Sequence, residues 1–233
     1  MDYTSSLPQG NEKTFLVQQM FNDIAGRYDL LNSVISLGLD TYWRKRTLEM
    51  LLLPSNYSEI VLDLACGTGD FSKTLVNMNI KTIGLDLSMG MLRNGRNRQD
   101  CPVQGQGEML PLKDNSIGAV ISGFAVRNFT DLRSVLEEVF RVLIPGGRMA
   151  FLDVSQPNSK LLKTANNIWF NKAVPFLGGI LSDKNAYSYL PRSVGYLPRE
   201  AEFKESAKEI GFHHALRREL SGGLVQVFFA RKQ

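Results

Sequence analysis

Residues 61–70 read Val-Leu-Asp-Leu-Ala-Cys-Gly-Thr-Gly-Asp. The first of these residues form a short apolar run, the kind found in a parallel strand that is buried on both faces. A glycine turn follows the run, and residues 70–77 then have the composition of a helix. A strand, a glycine turn and a helix in this order are typical of a doubly wound sheet, in which ligands bind at the carboxyl ends of the strands. The segment therefore predicts an α/β fold with a ligand at the turn.

Strands and helices alternate along the chain beyond this turn. Apolar runs predict strands at residues 60–65, 82–86, 117–124 and 148–154. Ser88 is expected to cap one helix, and residues 131–143 have the apolar spacing of an amphipathic helix. Residues 145–147, Pro-Gly-Gly, are expected to separate that helix from the last of these strands. Such alternation predicts a parallel sheet with helices on both faces.

Two regions differ from this central pattern. Within an N-terminal region at residues 1–55, residues 16–53 have apolar side chains at helical spacing. Residues 155–196 are rich in aromatic residues, proline and glycine. We expect them to form either a lid over a lipophilic acceptor or a pair of helices packed as additional core, and the pattern favours neither.

The C-terminal residues predict a helix at 200–211 and a hairpin of strands at 216–220 and 224–231. An antiparallel hairpin at the end of a parallel sheet is an unusual arrangement. We therefore expect one domain over residues 1–233, with a doubly wound, Rossmann-like sheet that ends in this hairpin.

Composition excludes several classes of protein. The 233 residues are 43% hydrophobic and carry a net charge of +4, which is ordinary for a globular protein with one core. The two cysteines, Cys66 and Cys101, are too few for a disulfide scaffold or a four-cysteine zinc site, so we expect a reduced, cytoplasmic protein without metal. The longest uncharged stretch, residues 115–126, is shorter than the roughly 20 residues of a spanning helix. The polar N-terminus predicts no secretory leader.

The glycine turn and Asp86 together indicate the chemistry of the ligand. Asp86 follows Gly69 by 17 residues, at the end of the second predicted strand, where a carboxylate accepts hydrogen bonds from both hydroxyls of a ribose. A dinucleotide also needs a third glycine, but Phe71 and Ser72 occupy that region, and Asp70 would repel a pyrophosphate. S-adenosylmethionine (SAM) has a ribose, no phosphate and a cationic end. The pattern favours SAM, and a tight turn that binds nothing is the plainer alternative.

Asp63, Gly67 and Gly69 have the spacing that resembles the first motif of class I SAM-dependent methyltransferases. Within that class, the chain resembles the UbiE/MenG family of ubiquinone and menaquinone C-methyltransferases over nearly its whole length. The segments that carry the resemblance are residues 21–32, 37–38, 43–45, 127–128, 141–148, 187–193 and 221–225.

The resemblance implies a seven-stranded sheet with the last strand antiparallel, and SAM as the methyl donor without a metal. The SAM contacts that the resemblance implies by position are Thr68, Asp86, Gln106 and Gly107. The remaining cofactor-binding candidates are Asp63, Gly67 and Gly69 of the motif and Tyr28 of the N-terminal signature. The implied reaction is methyl transfer to a ring carbon of a prenylated quinol.

Three residues are the candidates for the catalytic step. Arg127 would polarise the quinol oxygen or activate a water molecule, unless it only pairs with a structural carboxylate. Asn128 would orient a quinol oxygen or cap a helix, and Tyr28, with Asp29, would close over SAM or cap a helix. His213 and His214 are expected in a surface turn before the hairpin, without a catalytic role.

The partner expected from the resemblance is a lipophilic quinol, with no nucleic acid. Contact with the membrane surface and assembly as a homodimer or in a biosynthetic complex are further expectations. Three other functions compete: an NAD-dependent dehydrogenase, which the missing third glycine disfavours, a methyltransferase of another lipophilic molecule such as a sterol, and a SAM-binding scaffold without catalysis.

The chain departs from the family pattern at several positions. Gln106–Gly107 replaces a pair that is often Asn or Asp followed by Ala, and Gly123 replaces a serine. Ala125 replaces a glycine and Asp153 a glutamate. These changes leave the SAM motif intact, and they leave the identity of the quinone open between menaquinone and ubiquinone precursors.

Overall fold

The computed structural model describes residues 9–54, 56–155, 157, 159, 164 and 193–233. The helices are α1 (Gly10–Ile24), α2 (Tyr28–Ser36), α3 (Asp40–Leu51), α4 (Asp70–Asn77), α5 (Met89–Asn94), α6 (Leu132–Val142) and α7 (Glu200–Ile210). The strands are β1 (Val61–Leu64), β2 (Thr82–Asp86), β3 (Pro102–Gln104), β4 (Ile117–Gly123), β5 (Leu143–Val154), β6 (Phe212–Leu220) and β7 (Val225–Lys232).

The strands form one seven-stranded sheet in the order β3-β2-β1-β4-β5-β7-β6. Strands β1 to β5 are parallel to one another, whereas β7 is antiparallel to both β5 and β6. This confirms the predicted α/β fold with an antiparallel last strand. The strand order reverses direction between β1 and β4, which places a crevice at their carboxyl ends.

Helices cover both faces of the sheet because successive side chains of each strand point to opposite faces. Leu62 and Val120 pack with the side chains of α6 and α7, such as Phe203. Val61 and Ile121 pack with those of α3 and α4 on the other face. These strands are buried on both faces, which explains their continuous apolar sequence.

Several boundaries differ from the sequence prediction. The sequence analysis did not identify β3, because this edge strand has three residues and leaves two of them exposed. Residues 145–147 do not separate helix from strand, since β5 already begins at Leu143 and the pairing with β4 shifts register near its start. His213 and His214 lie in β6 at a register shift, where His214 has a φ of 53°, and not in a turn before it.

The predicted lid at residues 155–196 lies for most of its length outside the described residues and stays a prediction. Within the part of the chain that the structure describes, no helix combines the length and the apolar character needed to cross a membrane.

Candidate functional site

A cleft of about 730 Å³ opens at the carboxyl ends of β1, β2 and β4, with α1 lying across it. Its walls come from six places along the chain. They include Val17 and Phe21 of α1, Tyr28, Ala65 and Gly67 after β1, Asp86 and Leu87 after β2, Gln106 and Gly107 after β3, and Phe124 and Asn128 after β4. The crevice of the fold and the cleft therefore coincide.

Asp86 is a buried carboxylate on the floor of this cleft. Its Oδ2 accepts a hydrogen bond of 2.8 Å from the Gly67 amide, and its Oδ1 accepts one of 2.7 Å from the Ser88 amide. Burial raises the pKa of Asp86 from 3.8 to about 6, and these two amides oppose the shift. The group is therefore ionised at neutral pH, and each oxygen keeps a lone pair for a ligand hydroxyl.

The glycine turn needs glycine residues because of its own backbone conformation and packing. Gly67 lines the cleft with a φ of 58°, and Gly69 has a φ of 83° at the start of α4. A methyl group added to Gly69 would lie 2.8 Å from Cγ of Gln99. Glycine is thus required at position 69 because of its positive φ and because the Gln99 side chain beneath the turn leaves no room for a Cβ atom. Gly69 does not itself line the cleft.

Asp63 lies beneath the turn and outside the cleft wall. Its Oδ2 accepts hydrogen bonds from the Ser72 amide at 2.9 Å and from the Ser72 hydroxyl at 2.7 Å. Burial raises the pKa of Asp63 to about 7. The carboxyl group therefore ties the start of α4 to β1, and any influence on a ligand passes through the turn.

Thr68 turns its hydroxyl away from the cleft and towards the N-terminal region. The hydroxyl donates to Asp29 at 2.5 Å, and the other oxygen of Asp29 pairs with Arg98 at 2.6 Å. Arg98 also reaches Asp70 at 3.2 Å. The segment that begins α2 is thereby fastened to the glycine turn.

The C-terminal half of α1 is anchored to the loop after β2. Gln18 donates to the carbonyl of Leu87 at 3.0 Å, while Oδ1 of Asn22 accepts from the Ser88 hydroxyl at 2.6 Å and the Gly90 amide at 2.9 Å. Neither side chain was expected at the site, although Asn22 lies in the segment 21–32 that carries the family resemblance. A polar residue on an amphipathic helix carries no signal of its own, so only the tertiary contact reveals the role.

The N-terminal half of α1 is anchored to the loop after β4. Lys13 donates to the carbonyl of Phe129 at 2.6 Å, and the hydroxyls of Thr14 and Thr130 lie 2.7 Å apart. The Lys13 ammonium also lies 3.7 Å from the ring centre of Tyr196. Burial lowers the pKa of Lys13 to about 8. The helix thus spans the cleft between two strand ends.

Two residues beside the cleft have strained backbones. Ala65 after β1 has a φ of 52°, and Phe124 after β4 has a φ of 62°. A non-glycine residue in this conformation costs about 1–3 kcal/mol, and such residues are concentrated at functional sites. Here they lie at the ends of neighbouring parallel strands, and both line the cleft.

Arg127 is buried behind the cleft wall and forms an ion pair with Asp153 on β5. Its amide also donates to Asp153 at 3.3 Å. The Nε–H of Arg127 has no hydrogen-bond acceptor among the described residues. Asn128 next to it does line the cleft. The structure therefore supplies the carboxylate partner that the sequence analysis weighed against a catalytic role.

Tyr28 lies in the wall of the cleft beside Gly67, with its ring in edge contact with Phe21. Burial raises the pKa of its phenol, and the Asn32 side chain and the guanidinium groups of Arg44 and Arg127 oppose that effect. The phenol therefore stays protonated at neutral pH.

Gly123, at the end of β4, explains one departure from the family pattern. A methyl group added there would lie 2.8 Å from the ring of Phe71 and 2.9 Å from Nη1 of Arg44. Arg44 is held by Asp70 at 3.0 Å. The space that a serine side chain would need is therefore already filled.

A family model described as the ubiE/COQ5 methyltransferase family matches residues 8–232 of the chain. The ubiquinone/menaquinone biosynthesis C-methyltransferase UbiE of Geobacter sulfurreducens is 34% identical, over 95% of this chain and 90% of that protein. The demethylmenaquinone methyltransferase of Mycolicibacterium vanbaalenii is 36% identical, over 93% of this chain and 94% of that protein.

Solved structures with the same fold include a SAM-dependent methyltransferase from Thermotoga maritima. Its TM-score is 0.66 at 20% identity, over 93% of this chain and all of that one. Phosphoethanolamine N-methyltransferase 2 of Haemonchus contortus, in complex with SAM, gives a TM-score of 0.59 at 15% identity, over 81% of this chain and 52% of that one. At identities this low, the structural similarity shows a shared fold and nothing about the reaction.

Proposed function

The chain belongs to the ubiE/COQ5 methyltransferase family, and we propose that it transfers the methyl group of SAM to a ring carbon of a prenylated quinol in quinone biosynthesis. The observation that carries the proposal is the cleft floor. An ionised Asp86 is fixed there by two backbone amides beside the glycine turn. Such a group suits a ribose and repels a pyrophosphate.

The cleft suggests how SAM lies in it. The ribose hydroxyls of SAM donate to Asp86, and the adenine extends towards Gln106 and Gly107. The methionine end lies beside Gly67 and Tyr28. Asp86 favours the cationic sulfonium and amine, whereas Asp29 and Asp70 are already paired with Arg98 and Arg44. The backbones of Gly67 and Thr68, rather than the hydroxyl of Thr68, then form the contact with the methionine part.

In the chemical step a ring carbon of the quinol bonds to the methyl carbon as the methyl–sulfur bond breaks and S-adenosylhomocysteine leaves. The quinol provides this nucleophilic carbon as its hydroxyl loses a proton to water, and the methylated ring carbon then loses its own proton to water, which restores the aromatic ring. Alignment of that carbon with the methyl group and sulfur accounts for several kcal/mol of the barrier, in the range of about 7–11 kcal/mol for well-oriented reactions. Asn128 and Tyr28 in the cleft wall are placed to orient the quinol oxygen.

Arg127 is proposed to stabilise the negative charge that develops on that oxygen, directly or through a water molecule, with its Nε–H. A guanidinium cannot accept the proton. Asp153 would hold the side chain in position.

The acceptor is proposed to be demethylmenaquinol, the ubiquinol-pathway precursor, or both, and the prenyl tail argues for contact with a membrane surface. A methyltransferase of another lipophilic molecule and a SAM-binding scaffold are the alternatives. Turnover of labelled SAM with each reduced acceptor decides among them. Transfer to neither quinol, with SAM bound, would support the alternatives.

Calorimetric titration with SAM and with NAD tests the cofactor independently of the acceptor. We expect SAM to bind and NAD not to bind. Tight binding of NAD, without binding of SAM, would overturn the proposal.

A further inference from the structure

Three glycines from separate elements surround the side chain of Gln99. A methyl group added to Gly69 in the turn, to Gly84 in β2 or to Gly95 after α5 would lie 2.6–2.9 Å from an atom of this side chain. At Gly95 the added group would also lie 2.5 Å from the Thr68 carbonyl oxygen. No side chain larger than hydrogen fits at these three positions while Gln99 occupies the space.

Gln99 is only 9% exposed, and its amide points at the glycine turn from below. Its Nε2 donates to the carbonyl of Gly67 at 3.3 Å. The amide of the same glycine donates to Asp86 at 2.8 Å. Both peptide groups of Gly67 are therefore held by side chains, one from beneath the turn and one from the cleft floor.

The residue before Gln99 holds the turn from its other side. Arg98 pairs with Asp29, which accepts from Thr68, and with Asp70 at the start of α4. Two adjacent side chains thus hold the turn, Arg98 through charged groups at its outer edge and Gln99 through its backbone. Arg98 is partly exposed and Gln99 is buried, so the hydrogen bond from Gln99 is the one that is protected from water.

We propose that Gln99 is a positioning residue for SAM, which fixes the Gly67 peptide and, through it, the orientation of Asp86. The inference rests on the proposed function, because it concerns how the same cleft receives its cofactor. Gln99 does not line the cleft, so it acts through the turn rather than on the ligand. Without Gln99 the Gly67 carbonyl would be free, and the glycine could change its φ and ψ more easily. The preceding peptide group, whose N–H donates to Asp86, would then shift, and the ribose carboxylate would lose one of its two amide donors.

The test replaces Gln99 by methionine, which keeps the length of the side chain and removes the donor. We expect Gln99→Met to weaken SAM binding about tenfold, in line with one lost hydrogen bond that leaves a carbonyl unpaired. At saturating SAM, the KM for the acceptor should not change. Hydrogen exchange of the Gly67 amide in the ligand-free protein should become faster, and this readout needs neither cofactor nor acceptor.

The matched control is Val142→Ala, which opens a cavity in the hydrophobic core beneath α6, away from the turn. It should lower thermal stability while SAM affinity stays within about twofold. If Gln99→Met does not fold, Gln99→Leu provides the same comparison, since its smaller apolar side chain also lacks the donor.

Unchanged SAM affinity and unchanged Gly67 exchange in a folded Gln99 variant would overturn the proposal. If the unaltered protein does not bind SAM, the proposed function fails instead, and exchange at Gly67 still tests the hold of Gln99 on the turn.

Discussion

At the scale of single residues, Asp86 is the side chain on which cofactor binding depends. It is fixed by the amides of Gly67 and Ser88 before any ligand arrives. Asp86→Ala should weaken SAM binding about tenfold or more, because hydrogen bonds to a charged group contribute roughly 1.5–3 kcal/mol each. Calorimetry on the folded variant measures this, and unchanged affinity would show that the ribose lies elsewhere.

The pH dependence of SAM binding follows from the same residue. Burial holds the pKa of Asp86 at about 6, and the ribose hydroxyls donate to its ionised form. Affinity should therefore be constant above about pH 7, be about halved at pH 6, and fall below that by up to about tenfold per pH unit. Titrations from pH 5 to pH 8 measure the profile, with Asp86→Asn as the control. A flat profile in the unaltered protein, or an equal fall in Asp86→Asn, would assign the effect to another group.

Arg127 and Asp153 combine a structural role with a proposed catalytic one. Arg127→Ala leaves Asp153 buried without its partner, so the free energy of unfolding should fall by about 3–5 kcal/mol. Turnover of the folded fraction should also fall about 100-fold, as for the loss of one preorganised donor.

A double variant separates the two roles of Arg127. Arg127→Met together with Asp153→Leu removes both charges, and it should recover most of the stability without recovering turnover. Denaturant unfolding and single-turnover kinetics are the two measurements. Full turnover in the folded double variant would leave Arg127 a structural role only.

The sequence indicates part of the site because some of its residues carry a local signal. Asp86 ends a buried strand and Gly67 lies in a glycine turn, so the sequence locates both at the strand ends, where the cleft lies. Their contact with SAM stays a prediction. Gln99 has no such signal, because its role arises from three glycines that are distant in the sequence. Asp63 and Thr68 were expected as SAM contacts, but their side chains bond Ser72 and Asp29 outside the cleft wall.

At the scale of elements, α1 is the cover of the cleft, and Asn22 fastens it to α5. Its Oδ1 accepts two hydrogen bonds, each contributing about 0.5–1.5 kcal/mol, so Asn22→Ala should speed SAM dissociation about tenfold. Stopped-flow displacement measures the rate. Asp23→Ala, at an exposed position next to it, is the control and should leave the rate unchanged. Equal rates in the two variants would mean that α1 does not retain the ligand.

The strength of the apolar signal decided which elements the sequence predicted. The buried strands β1, β2 and β4 and helix α4 were predicted to within a residue or two, since continuous apolar runs or clear spacing mark them. The exposed edge strand β3 has no such run and depends on its pairing with β2. The start of β5 depends on its partner β4, which draws residues 143–147 into the sheet despite their turn-like composition.

At the scale of the whole molecule, the sheet order brings the ends of β1, β2 and β4 together, and α1 lies across them. The cleft is therefore a product of the fold, whereas its chemistry comes from a few side chains on the strand ends. We propose that this cleft performs methyl transfer to carbon.

The most direct test is a single turnover with SAM that carries an isotopically labelled methyl group and a reduced, demethylated prenyl quinol. Nuclear magnetic resonance of the extracted product then locates the label. We expect the label on a ring carbon of the product when the quinol is the acceptor. With the oxidised quinone we expect no labelled product, because the quinone lacks the nucleophilic carbon. A label on oxygen, or bound SAM without any transfer to the quinol, would contradict methyl transfer to carbon.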